Sequence, residues 1–149
     1  MVSINYLKKK YGSFEDEWMI ALNNYYFHDE EEINIDNTKK IPKVIIPKDF
    51  NKMYALLLID PDAPRPDYLH WLVINISNNN KDIIVKYQPP NPPSGTHRYY
   101  FYLLEQKNEI HVPQPDRIYF NLEHFIKQYG LKIIKSKMFK TKQNYLSLI

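Results

Sequence analysis

Short stretches rich in β-branched and aromatic residues recur along the chain, at Asn24–Phe27, Lys43–Ile46, Tyr54–Asp60, Trp71–Ser77, Ile83–Tyr87 and Arg98–Gln106. Turn-forming residues separate them, the pattern of many strands pairing into sheets, and Leu131–Ile134 is a further candidate. Tyr54–Ile59 and Trp71–Ile76 are almost continuously apolar, which predicts strands buried on both faces. Helical spacing is clear at one place. Leu122, Phe125, Ile126 and Tyr129 fall three, one and three residues apart with polar residues between them, and Gly130 supplies a stop. Ser13, followed by Phe14, Glu15 and Asp16, can cap a second, short helix. The tail from Phe139 fits neither period.

Composition sharpens this picture. At 149 residues the chain is expected to form one domain, residues 1–149, around one core. Three glycines against eleven prolines predict stiff loops, and the absence of cysteine excludes disulfides, thiolate nucleophiles and cysteine-ligated zinc. The first eleven residues hold three lysines and no apolar run, and no segment is apolar for long enough to span a bilayer. The expectation is a soluble, cytoplasmic protein. A formal charge of +3 is too small to mark a nucleic-acid binder. Basic residues gather at Lys8–Lys10 and Lys132–Lys142, while the acidic block Asp29–Glu32 is expected to be a solvated loop.

Two groups of residues carry candidate chemistry. Asp60, Pro61, Asp62, Ala63 and Pro64 follow the first buried run, where a rigid sheet edge would hold two carboxylates on a stiffened loop. A proline turn with solvated aspartates would read the same way. Gly95, Thr96, His97, Arg98 and Tyr99 open the last long strand after the loop Pro89–Ser94. There His97 can hydrogen-bond an anion, and the paired donors of Arg98 can fix a carboxylate. His70 stands immediately before the second buried run. If the three loops converge, two carboxylates and two imidazoles surround one hollow able to titrate near neutrality and hold an ionic headgroup.

At these residues the chain resembles the phosphatidylethanolamine-binding family, which includes animal Raf kinase inhibitor proteins and plant flowering regulators. The Asp-Pro-Asp-Ala-Pro element stands at Asp60–Pro64, the Gly-x-His-Arg element at Gly95–Arg98, and a histidine leading an apolar strand at His70–Asn75. The resemblance implies a mainly β fold with a large central antiparallel sheet, a smaller second sheet and a few peripheral helices. It implies a pocket for phosphate-like groups formed by Asp60, Asp62, Pro64, His70, His97 and Tyr99. Arg98 and Gly95 would support that pocket, Arg98 by bracing an aspartate of the first motif. It also implies a cis peptide before Pro64. The chain departs from the family pattern at Ile59, where many members have threonine, and at Leu69, which replaces the first of two adjacent histidines. The segment from Pro64 to His70 is shortened, the proline loop lacks a glycine, and Tyr145 is the candidate for a C-terminal pocket tyrosine.

The implied function is binding of a small phosphate-containing or phospholipid-headgroup ligand, without a cofactor, by a regulator with a protein partner such as a kinase. An Asp/His hydrolase or metal-assisted enzyme is the alternative, with Asp60, Asp62, His70 and His97 as ligands. Against it, neither a Gly-x-Ser-x-Gly turn nor a His-Glu-x-x-His helix occurs, and Ser94 is a nucleophile only by its nearness to His97. Lysine clusters allow transient membrane contact at most, and no reader motif supports nucleic-acid binding.

Overall fold

From His97 to Leu103 buried and open positions alternate, the period of two that gives a strand two different faces. In a computed structural model of the chain, which describes residues 18–46 and 51–145, this strand lies within a large sheet. In chain order the strands are β1 (Met19–Leu22), β2 (Tyr25–Tyr26), β3 (Glu31–Glu32), β4 (Lys43–Ile45), β5 (Met53–Asp60), β6 (Tyr68–Ser77), β7 (Asn80–Val85), β8 (His97–Gln106) and β9 (Lys132–Thr141). The large sheet has the order β3-β9-β8-β5-β6-β7, the small one β2-β1-β4. The two continuously apolar runs lie in the adjacent strands β5 and β6, buried as their composition requires. Neighbours in the large sheet are antiparallel except β3, which runs parallel to β9 and makes the sheet mixed.

The two faces of the large sheet carry separate cores. Leu56, Leu58, Tyr99, Phe101 and Phe139 pack with Trp18, Ile20 and Leu22, which joins the sheet to β1 of the small sheet. Leu57, Ile59, Leu72 and Leu104 face the other way and pack with Phe120 and Phe125. Phe125 belongs to α1 (Leu122–Tyr129), which begins where the Asn121 side chain accepts a hydrogen bond from the His124 N–H at 3.0 Å. It ends at Gly130, whose φ of 63° closes the helix in the left-handed conformation. A 3-10 turn at Ile35–Thr38 is the other helical segment among the described residues. Among these residues no helix is long and apolar enough to cross a membrane.

Several elements differ from the sequence reading: β6 opens at Tyr68 rather than Trp71, so His70 lies inside it, and β7 spans Asn80–Val85 rather than Ile83–Tyr87. β1 was not anticipated. Within the block expected to be a solvated loop, Glu31 and Glu32 form β3, because pairing uses only the backbone. The Glu30 N–H donates to the Met138 carbonyl at 2.7 Å, and the Asp29 carboxylate accepts from the Met138 N–H at 2.9 Å. Finally β9 runs on to Thr141, well past Ile134, because β8 supplies partners along its length despite the interleaved lysines. The helix expected at Ser13–Asp16 lies outside the described residues.

Candidate functional site

The antiparallel pairing of β5 with β8 sets the end of one beside the start of the other, so Asp60 and His97 meet. His97 Nδ1 lies 2.8 Å from Asp60 Oδ2, and both side chains are buried. On the opposite flank of β5, the register with β6 slips between Leu58↔Trp71 and Ile59↔Leu69, leaving His70 as the extra residue of a bulge. Leu69 packs into the core shared with α1, whereas Trp71 faces the core shared with the small sheet. His70 joins the latter side, its ring edge-on to Tyr99 with centroids 5.3 Å apart.

Hydrogen bonds fix the tautomers. Asp60 Oδ1 accepts from the Asp62 N–H at 2.7 Å and Oδ2 faces His97. An ionised carboxylate only accepts, so His97 donates through Nδ1–H and its one other polar atom is Nε2. His70 Nδ1 lies 2.7 Å from the Gln88 carbonyl, again an acceptor, so His70 is likewise an Nδ1–H imidazole with Nε2 uncommitted. Burial holds the His70 pKa below its ordinary 6.5, against the opposing pull of the Gln88 carbonyl and of Asp60, with Arg117 and His97 adding to the depression. Tyr99 is wholly buried, and its hydroxyl is the one buried side-chain polar atom among the described residues with no hydrogen-bond partner. Burial first, then the charge of the nearby Asp60 carboxylate and a weak side-chain interaction with it that falls outside hydrogen-bond geometry, pushes its ionisation far above the ordinary phenol range, so the hydroxyl keeps its proton.

These groups surround a hollow of about 290 Å³. Of the residues read from the sequence, Asp60, Pro64, His70, His97 and Tyr99 line it, with Pro92 and Pro93 opposite. Asp62 does not, because Arg98 takes its carboxylate: Nε donates to Oδ2 and an NH2 group to Oδ1, both at 2.9 Å, while the Arg98 backbone N–H adds a bond of 2.8 Å. The Arg98 hydrogen bonds hold Asp62 below the usual carboxylate pKa. Gly95 also stands outside the lining; its φ of 68° turns the proline loop back into β8. The peptide before Pro64 is not cis; the cis peptide of this turn is Pro66–Asp67, and the turn is closed by the Asp62 N–H on Asp60 and by Arg98. Ser94 and Tyr145 are exposed and line no part of the hollow. Among the described residues no three His, Asp or Glu side chains gather as a metal site would require.

Sequence reasoning missed Gln88, Tyr68 and Arg117. Gln88 exchanges backbone and ring bonds with His70, and the Tyr68 hydroxyl donates to Gln88 Oε1 at 2.8 Å. Arg117 donates to the carbonyls of Leu69 and His70 at 3.0 and 3.1 Å and to that of Lys86 at 2.7 Å, tying the bulge to the strand beside it. Gln88 borders the proline loop, which was a usable signal; Arg117 carried none.

A family model described as phosphatidylethanolamine-binding protein matches residues 24–142. Among curated relatives, Protein TWIN SISTER of FT from Arabidopsis thaliana is 38% identical over 94 residues, 56% of this chain and 54% of that protein. Protein TERMINAL FLOWER 1 from the same plant is 33% identical over 103 residues, 61% of this chain and 58% of that protein. The chain thus spans little more than half the length of these relatives. A solved carboxypeptidase Y inhibitor, complexed with its cognate proteinase, superimposes with a TM-score of 0.74 at 16% identity, covering 92% of this chain and 93% of the other. A phosphatidylethanolamine-binding protein from Plasmodium falciparum gives 0.65 at 18% identity, covering 95% and 98%. The structural matches agree in fold, and the family match takes in both motifs, the bulged histidine and α1: the chain belongs to the phosphatidylethanolamine-binding protein family.

Proposed function

We propose that the hollow beneath the β6 bulge binds the phosphate-bearing end of a small ligand, such as a phosphoethanolamine-like headgroup, and that the chain regulates a protein partner rather than catalysing a reaction. The observation that carries this reading is the unpartnered, buried Tyr99 hydroxyl beside two imidazoles whose Nε2 atoms are uncommitted. A buried donor without an acceptor leaves a desolvation cost of about 1–3 kcal/mol that an incoming phosphate oxygen relieves. Each neutral Nε2 accepts the proton of a P–OH group, and each protonated imidazole donates instead. Asp60 repels a dianion, so the favoured ligand is a monoanion, and affinity rises as pH falls and the ligand and His70 take up protons. An ammonium on the same ligand finds its counter-charge in Asp60. Membership of a family that includes kinase inhibitors and flowering regulators supports regulation through a partner.

The test is a titration of phosphoethanolamine and inorganic phosphate at pH 7.5 and pH 6, followed by assigned amide resonances. Wild type should show shifts at Asp60, His70 and residues 95–99, tighter at pH 6. Tyr99→Phe removes a donor whose nearest acceptor, the Asp60 carboxylate, lies outside hydrogen-bond geometry in the free protein, so its unfolding midpoint should change little while affinity falls by about tenfold. No shift at millimolar ligand, or a Tyr99→Phe protein that binds as wild type does, sinks the proposal.

A further inference from the structure

A second cavity, larger than the first, lies on the same face of the large sheet toward the other end of β5 and β8. Its volume is about 740 Å³, inside the range of roughly 300–1,000 Å³ usual for small-molecule sites. Tyr54, Leu56, Trp71, Val73 and Leu103 floor it, and Val44 of β4 with Ile46 just after that strand forms a wall. It shares no lining residue with the hollow. Trp71 and Tyr87, edge-to-face with centroids 5.6 Å apart, line the cleft next to His70 and Gln88 of the hollow, and the Tyr87 hydroxyl is anchored on the Thr38 carbonyl.

Among the described residues, the charged side chains that line this cleft are all lysines. Alternation along β7 puts Lys81 and Ile83 on the cleft side, while Asp82 and Ile84 turn to the opposite face, Asp82 accepting from Asn75 and Ile84 joining the α1 core. Lys86 and Lys52 complete the rim. Lys52 pairs with Glu105 at 3.6 Å, whereas Lys81 and Lys86 form no ion pair with another described residue. Among the described residues no carboxylate lines the cleft. Ile41 and Ile83 at its lip are 69% and 53% exposed, unusual for isoleucine. An apolar trough with lysines at its lips complements a molecule that is apolar along its length and negative at one end.

We propose that this cleft binds a single-chain anionic amphiphile, its alkyl chain lying over Trp71, Val73 and Leu103 and its charged end between Lys81 and Lys86. The site is separate from the phosphate hollow and does not depend on it, because the ligand supplies its own anion to the lysine rim.

The full chain is titrated, below their micelle concentrations, with octanoate, decanoate and dodecanoate and with dodecyltrimethylammonium as the cationic control. Amide and Trp71 indole shifts should map to residues 41–46, 71–73 and 81–86. Affinity should tighten by about fourfold per added methylene, the value of one buried CH2. Lys81→Glu/Lys86→Glu should weaken dodecanoate by about tenfold while leaving the phosphoethanolamine shifts at His70 and His97 unchanged. Ile83→Glu, an exposed substitution that leaves the core intact, should weaken it as well. Absence of shifts in the cleft, no dependence on chain length, or equal binding of the cationic control each overturns the proposal. So does a ligand-independent rise in molecular mass with broadened cleft resonances, because the cleft is then covered by a second copy of the chain.

Discussion

At the scale of single residues, His70 has the most to reveal. Its Nδ1–H donates to the Gln88 carbonyl, and burial, helped by Arg117 and His97, disfavours its charged form against the opposing pull of that carbonyl and of Asp60. Above pH 6.5 both the folded and the unfolded chain hold it neutral and it contributes nothing to the pH dependence. As pH falls below that value the unfolded chain takes up the proton first, so stability declines until the lowered folded pKa is passed. Urea unfolding at pH 7.5 and pH 5 should therefore show a loss of stability in wild type that is smaller in His70→Gln, a comparison in which the other histidines cancel. Equal losses would mean that the ring is not held neutral by burial. A bound phosphate reverses the sign, since its charge favours the imidazolium, and should raise the His70 titration midpoint. Asp60, His70 and His97 were legible from the sequence because hydrophobic patterning placed them at the borders of apolar runs, whereas Pro64 and Tyr99 were legible only through the family resemblance. Asp62 was legible as chemistry but not as geometry, since nothing in the motif says that Arg98 takes both of its oxygens. Arg117 acts on backbone carbonyls, which leave no mark in a sequence.

At the scale of elements, the strands with apolar runs and the helix could be read because their patterns come from their own side chains. Those that could not be read are formed by their partners. β3 is two glutamates held by the backbone of β9, and β9 itself carries lysines at positions that its neighbour β8 holds in register. The bulge in β6 is hidden for a related reason: a one-residue slip is a property of two strands together, not of either alone. Helix α1 gives the contrast. Its N-terminus rests on one side chain, Asn121, and its buried Phe125 packs on the face of the sheet away from the hollow. Asn121→Ala should cost about 1 kcal/mol in urea unfolding, the usual worth of such a cap. Phosphoethanolamine affinity should stay unchanged, and a variant that lost affinity instead would show that the two faces of the sheet are coupled.

At the scale of the whole molecule, the question is how a site assembled from three strand ends is kept in shape. The floor of the hollow is Tyr99, and behind Tyr99 stands Phe139 of β9, stacked on it with centroids 5.1 Å apart and planes 16° from parallel. Phe139 is fully buried, touches Phe27 and Phe101 edge-on or tilted, and lies opposite Glu31 where β3 joins the sheet. β9, paired directly with β8, thus backs the floor of the hollow with one ring. Truncating a buried phenylalanine leaves a cavity and typically costs about 3–5 kcal/mol, a large share of the roughly 5–15 kcal/mol that hold a domain folded. Phe139→Ala should show that loss in urea unfolding and, in the folded fraction, weaker phosphoethanolamine binding, because the Tyr99 ring loses the surface that holds its hydroxyl in place. Phe139→Leu, which keeps most of the volume, should recover most of the stability but less of the affinity, since a branched aliphatic chain fills the space without presenting a flat face to Tyr99. If stability and affinity recover together, the hollow depends on packing volume alone; if they separate, the orientation of one buried ring, set from the neighbouring strand β9, tunes the site.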